Sequence, residues 1–209
     1  MKRIGIMGGT FNPIHRGHLA LAKAAQKEFA LDKIIFIPSG NPPHKKGSKV
    51  LDKEERFKMV KRALRRIPSF IASRIELDRP GFSYAIDTFT ALRRKYGKRA
   101  KLFFIMGLDS INEILDWRKP FDLFKLCEFI VGTRPGTKIR TFHRLLKFPP
   151  LQKEVDKIHL MELKEAISAS HIRQRLRAGM SADRWLPRAV AAYIKRKSLY
   201  HSPAGGKTK

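Results

Sequence analysis

A chain of 209 residues, 43% hydrophobic and 30% charged, has the length and composition of a globular protein that buries its own core. No apolar run approaches the length of a membrane span, and the single cysteine, Cys127, excludes an internal disulfide and fits a reducing, cytoplasmic setting. The unusual quantity is charge: 45 lysines and arginines against 18 aspartates and glutamates, a formal net of +27 that attracts polyanions and leaves too few acids for an extensive ion-pair network.

Taken in chain order, Arg3-Ile4-Gly5-Ile6-Met7 reads as a short buried strand. The apolar stretch breaks at once at Gly8 and Gly9, which argues against a signal peptide. A helix is expected at about 17–30, a second strand at 33–37, a helix at 52–66, a third strand at 70–75 and a helix at 84–96. A fourth strand follows at 101–106, short helices within 109–126, and a fifth strand at 128–132. Near-continuous apolar strands alternating with helices predict an α/β fold with a parallel sheet of five to six strands, covered by helices on both faces. Ligands then belong at the carboxyl ends of the strands, near a topological switch point.

After residue 137 helices take over. Residues 157–161 offer one last strand, Ser170 reads as an N-cap for 172–178 with Gly179 as terminator, and a final helix is expected at 189–196. This C-terminal helical part covers about 168–200, and the small, polar tail at 202–209 is expected to be disordered.

The chemistry concentrates in Gly8-Gly9-Thr10-Phe11-Asn12-Pro13-Ile14-His15-Arg16-Gly17-His18. Glycines in a strand-to-helix turn let backbone N–H groups approach an anion, and the helix start adds unpaired donors and the positive end of its dipole. His15 and His18, at i and i+3, face the same way once the helix has begun, so two imidazoles meet one phosphoryl group. The segment is neither a P-loop nor a Gly-x-Gly-x-x-Gly turn. A zinc pair is disfavoured, because Cys127 lies far along the chain and no compact ligand cluster stands out, so no metal ligands are assigned.

His15-Arg16-Gly17-His18 resembles the His-x-Gly-His motif of the nucleotidyltransferase superfamily, and the longer form is similar to nicotinate mononucleotide adenylyltransferases of bacterial type. Four further stretches support the closer resemblance, in family order: Asn41-Pro42-Pro43-His44-Lys45, Ser83-Tyr84-Ala85-Ile86-Asp87-Thr88, Gly107-Leu108-Asp109-Ser110 with Trp117 after it, and Ile167-Ser168-Ala169-Ser170-His171-Ile172-Arg173.

The resemblance implies a Rossmann-like nucleotidyltransferase domain over residues 1–201 that joins ATP to nicotinate mononucleotide, giving deamido-NAD and pyrophosphate. His15, His18 and Arg173 are then the catalytic residues. ATP is held by Gly8, Gly9, Thr10, Phe11, His15, His18, Gly107, Asp109, Arg134, Ser168, Ser170, Ile172 and Arg173. The mononucleotide is held by Asn41, His44, Lys45, Ser83, Tyr84, Ala85 and Trp117. Magnesium arrives on the triphosphate and needs no carboxylate cage. Read without the resemblance, Asp109 is equally an N-cap, residues 41–45 a basic surface loop, and Trp117 a core residue.

Two positions depart from the family pattern. Asn12 stands where aspartate is frequent, and Ala85 where threonine often lies beside the pyridine ring, leaving acid recognition to backbone N–H groups. Other readings fit less well. A class I aminoacyl-tRNA synthetase shares a similar motif, but the chain has no room for an anticodon-binding domain, and Lys58-Met59-Val60-Lys61 falls inside a predicted helix. Pantetheine-phosphate adenylyltransferase is the nearest enzyme alternative, with nicotinamide mononucleotide adenylyltransferase beside it, and the Pro-Pro-His-Lys and Ser-Tyr-Ala-Ile-Asp-Thr stretches argue for a pyridine mononucleotide. A nucleic-acid binder accounts for the charge and not for the motifs, and the basic residues form no dense arm or nucleic-acid module. A homo-oligomer is left open.

Overall fold

The computed structural model describes residues 1–43, 50–133, 147, 152–163 and 167–200. The strands are β1 Lys2–Gly9, β2 Lys33–Pro38, β3 Phe70–Ala72, β4 Ala100–Gly107, β5 Glu128–Thr133 and β6 Ile158–Glu162. The helices are α1 Arg16–Glu28, α2 Lys53–Leu64, α3 Ala85–Tyr96, α4 Leu108–Asn112, α5 Pro120–Leu126, α6 Ala169–Arg177 and α7 Arg188–Arg196.

All six strands run parallel in the order β3-β2-β1-β4-β5-β6. This is the doubly wound order in which the chain reverses direction between β1 and β4, and the crevice at their carboxyl ends is the natural ligand site. The sheet matches the expected five to six strands, with β3 shorter than predicted: only Phe70, Ile71 and Ala72 pair with β2. The Ser73 N–H still donates to the Phe36 carbonyl at 2.9 Å; beyond it the chain leaves the sheet edge, and Arg74 turns to Glu54 on α2 in a two-pronged pair at 2.8 Å.

Strand alternation builds the two cores. Met7, Ile34, Phe36, Phe103, Ile105 and Ile130 point to one face and pack with Leu21, Met59, Val60, Ile172, Leu176, Val190 and Ile194 from α1, α2, α6 and α7. Ile4, Ile6, Ile35, Leu102, Phe104 and Phe129 point to the other face, against Phe89, Ile111, Leu123 and Phe124 from α3, α4 and α5. Burial of the strands on both faces is what their unbroken apolar runs required.

The glycines Gly8 and Gly9 are the last two residues of β1, registered against Ile37 and Pro38, and not part of the turn as the sequence suggested. The left-handed residue of the turn is Phe11, with φ 47°, and its ring is buried. Phe11 meets Phe36 at 5.9 Å and the His18 ring edge-on at 5.1 Å, so packing fixes the turn where glycine freedom was expected to.

Helix α6 also begins earlier than predicted. Its N-cap is Ser168, whose side-chain oxygen accepts from the His171 N–H, and Ser170 lies in the first turn. Gly179, with φ 71°, ends this element as expected. Among the described residues no helix is long and apolar enough to cross a membrane.

Candidate active site

The site is assembled on the end of β1 and the start of α1. His15 is the N-cap of α1 in extended conformation, and its backbone N–H donates to His18 Nδ1 at 3.1 Å. With Nδ1 accepting, the neutral His18 ring carries its proton on Nε2. The two rings stack with centroids 3.6 Å apart. Gly17 makes this possible, since a Cβ there would stand only 3.1 Å from His15 Nδ1.

Both imidazoles are held neutral. Burial pushes the His15 pKa down to about 4. Burial, with the neighbouring His15 adding to it, holds His18 well below the usual histidine range. His15 Nδ1 is buried and has no hydrogen-bond partner among the described residues. An unsatisfied ring nitrogen costs about 1–3 kcal/mol, a cost typical of a group reserved for a ligand.

The C-terminal helices close on this turn. Arg173 on α6 donates to the Asn12 carbonyl at 2.9 Å, and Arg16 donates to the Leu186 carbonyl at 3.0 Å. Ile167 comes within 3.3 Å of the Cβ position of Gly17. The lead-in to α6 therefore lies beside the histidines, with the Ser168 and Ser170 hydroxyls in contact at 2.6 Å on an exposed helix start. The Ile172 side chain is fully buried in the core, and its N–H donates to the Ser168 carbonyl.

Gly107 is the N-cap of α4 and Asp109 lies in that helix's first turn, which removes the N-cap reading of Asp109. Both are exposed at the carboxyl end of β4, and nothing fills the Cβ position of Gly107. Thr10 lends its carbonyl to a buried arginine on α2, Arg56, at 2.7 Å.

The residues expected to hold the mononucleotide form a second group. The Ser83 hydroxyl accepts from the N–H groups of Gly40 and Asn41, and the Ser83 N–H donates back to the Asn41 carbonyl, joining the loop after β2 to the approach to α3. Tyr84 caps α3 without a side-chain hydrogen bond, so the first N–H groups of α3, from Ala85 onward, stay free of a cap. Trp117 packs against Phe104 with ring centroids 6.0 Å apart, and its indole N–H is buried without a partner among the described residues. The Arg118 guanidinium sits 4.8 Å over the Tyr84 ring, bringing the two segments together. His44, Lys45 and Arg134 lie outside the described residues, as does the tail at 202–209.

Sequence reading missed a buried polar layer beneath these loops. Thr88 donates to Glu76 Oε1 at 2.7 Å, and burial raises the Glu76 carboxyl above its usual range. Gly40 passes so close that a Cβ there would stand 2.3 Å from the Glu76 carbonyl. Arg56 is 1% exposed. A detectable signal did exist: Arg56 precedes Met59 and Val60 by three and four residues, a charged side chain on the apolar stripe of its helix.

Known proteins resemble this chain in sequence and in fold. A family model described as cytidylyltransferase-like matches residues 6–175. A chain of Moorella thermoacetica named as a probable nicotinate-nucleotide adenylyltransferase is 45% identical over 205 residues, covering 98% of this chain and 94% of its own. One of a Thermoanaerobacter species, with the same name, is 44% identical over 200 residues, covering 95% and 94%. In fold, the chain is similar to a Plasmodium falciparum nicotinic acid mononucleotide adenylyltransferase solved with NaAD, at TM-score 0.75 and 18% identity over 96% of this chain and 98% of that one.

Proposed function

The chain belongs to the cytidylyltransferase-like family and, within it, to the nicotinate-nucleotide adenylyltransferases, and on that premise we propose how its residues carry the transfer of AMP from ATP to nicotinate mononucleotide. The observation that carries the reading is the stacked, neutral pair His15 and His18 at the start of α1, over the switch point between β1 and β4.

The mononucleotide phosphate is already an anion near neutral pH and attacks without a dedicated base. One of its oxygens bonds to the α-phosphorus of ATP, the bond from that phosphorus to the bridging oxygen breaks, and pyrophosphate leaves with the electron pair. Catalysis is then mainly positioning and charge stabilisation. His18, its proton on Nε2, and His15 donate to the α-phosphate, where charge develops. The start of α6, with Ser168, Ser170 and Arg173, receives the departing β- and γ-phosphates, where an anion is favoured by the helix dipole.

Gly107 and Asp109, beyond β4, take the nucleoside, with the Asp109 carboxylate available to a ribose hydroxyl. Asn41, Ser83, Tyr84, Ala85 and Trp117 take the mononucleotide, the free N–H groups at the start of α3 meeting the ring carboxylate. His44 and Lys45 supply charge to its phosphate, and Arg134 to the ATP side. Among the described residues no three His, Cys, Asp or Glu side chains gather as a metal cage. Magnesium enters here as part of the substrate, bound by triphosphate oxygens and water. Residues 1–201 are read as one catalytic domain working in a reducing cytoplasm.

An acceptor panel tests this: purified protein, ATP and magnesium with nicotinate mononucleotide, nicotinamide mononucleotide or phosphopantetheine, scored by pyrophosphate release. Release is expected fastest with nicotinate mononucleotide. Release with phosphopantetheine and none with a pyridine mononucleotide overturns the substrate assignment.

A further inference from the structure

Beyond the last hydrogen bond between β1 and β2, one side chain bridges the two substrate loops. Arg56 on α2 donates through Nη1 to the Thr10 carbonyl at 2.7 Å, through Nη2 to the Gly40 carbonyl at 3.3 Å, and through Nε to the Leu51 carbonyl at 2.9 Å. Thr10 lies in the turn that leads to His15, and Gly40 in the loop stitched to Ser83. We propose that Arg56 is a positioning residue for the adenylyl transfer: its buried guanidinium fixes the spacing between the turn that holds the ATP phosphates and the loop that holds the acceptor. The inference rests on the assignment of those two loops made above.

A buried charge bonded to three carbonyls is a costly way to fill a core position, which an apolar side chain would fill more cheaply. The fork geometry is what an apolar residue cannot supply: a planar guanidinium presents donors in fixed directions to acceptors on separate segments. Each segment is immobilised from its other side as well. The Asn12 carbonyl accepts from Arg173, and Gly40 lies against the Glu76 backbone with no room for a Cβ. The β1–β2 ladder joins the two segments at their base, the Ser39 N–H donating to the Gly9 carbonyl at 2.9 Å, and Arg56 is the side chain that braces them one residue beyond its end. Helix α2 is itself anchored, Lys53 donating to the Leu77 carbonyl at 2.7 Å and Asp52 capping the N–H groups of Glu54 and Glu55.

In-line attack depends on the separation of the two phosphates, and a misplacement of about 1 Å costs on the order of 10²-fold in rate. Each substrate, by contrast, binds mainly to its own loop. Loss of the fork therefore acts on kcat and spares both Michaelis constants.

The test compares wild type with Arg56→Lys, which keeps the charge without the fork, and Arg56→Gln, which keeps a two-pronged amide without the charge. Circular dichroism and urea titration give the folded fraction, and kcat is normalised to it. The expected result is a fall in kcat of about 10²-fold in the lysine variant, with both KM values within about threefold of wild type and a smaller loss in the glutamine variant. A normalised kcat within about threefold of wild type in both variants overturns the proposal, as does a rise confined to the KM of one substrate. Complete unfolding of both variants assigns Arg56 to the core alone and also overturns it. The reading of the substrate is judged separately, by whether the wild-type control turns over nicotinate mononucleotide. If another acceptor phosphate is used instead, the same comparison is made with it.

Discussion

The Tyr200 hydroxyl donates to Asn12 Oδ1 at 2.8 Å, joining residues 188 positions apart. The Asn12 side chain and carbonyl are thereby both engaged, by Tyr200 and by Arg173, on either side of the turn that leads to His15. Asn12 is buried, so an aspartate there would bring an ionised carboxylate to the same hydroxyl, whereas the amide keeps the pair neutral. Tyr200→Phe leaves the Asn12 amide oxygen without its donor and is expected to destabilise the fold by about 1–3 kcal/mol. Urea unfolding of the two proteins measures it, and equal midpoints would remove Tyr200 from the account.

His18→Ala is expected to lose about 10²–10³ in kcat, the usual cost of removing a donor to a transition-state oxyanion. The ring stands at the start of α1 against Phe11 and His15, at the margin of the hydrophobic core, so the variant should stay folded by circular dichroism with only a modest shift in its thermal melt. An unfolded variant, or a nearly fully active one, contradicts the catalytic role.

Stability should fall as the medium is acidified below about pH 6.5. His15 and His18 are neutral in the folded protein, with His15 protonating only near pH 4, while in the unfolded chain both take up protons near 6.5. Between those limits the unfolded state binds more protons, so stability is fully present above 6.5 and is lost on the way down. His15 alone should contribute about 2 kcal/mol of loss between pH 6.5 and 5, above the range where most carboxylates titrate. Urea titrations across this window measure the slope, and His15→Asn should flatten it. The same slope in the variant would show that another group sets it.

How much of this was legible in the sequence differs by layer. The parallel sheet followed from unbroken apolar runs such as Leu102 to Met106, which only a strand covered on both faces explains, and the histidine pair followed from its spacing. The end of β3 was not legible: Ile75 made the run look longer than it is, while Arg74 goes to Glu54 on α2, a tertiary contact with no local signal. Gly8 and Gly9 read as turn residues because glycine is permissive, but the positive φ fell to Phe11, whose burial against Phe36 decides the matter. Arg56 left one trace, a charge on the apolar stripe of its helix, but its partners and those of Tyr200 were invisible, because carbonyls and an amide brought together by the fold leave no local motif.

Ala85 has no hydroxyl to offer the pyridine ring, so preference for the acid over the amide falls to the uncapped N–H groups at the start of α3, where Arg118, 3.9 Å from Asp87, offsets the carboxylate of that first turn. The acid is still expected to give the higher kcat/KM. Comparing nicotinate and nicotinamide mononucleotides in the wild type checks it, and an amide that is equal or better would mean that this helix start does not read the carboxylate.

The most direct test of adenylyl transfer at the histidine pair follows the label from ATP carrying ³²P in its α-phosphate. With nicotinate mononucleotide and magnesium, all transferred label should appear in deamido-NAD, with unlabelled pyrophosphate released in equal amount. Label recovered in free AMP or inorganic phosphate, with no labelled dinucleotide, would contradict attack of the mononucleotide on the α-phosphorus.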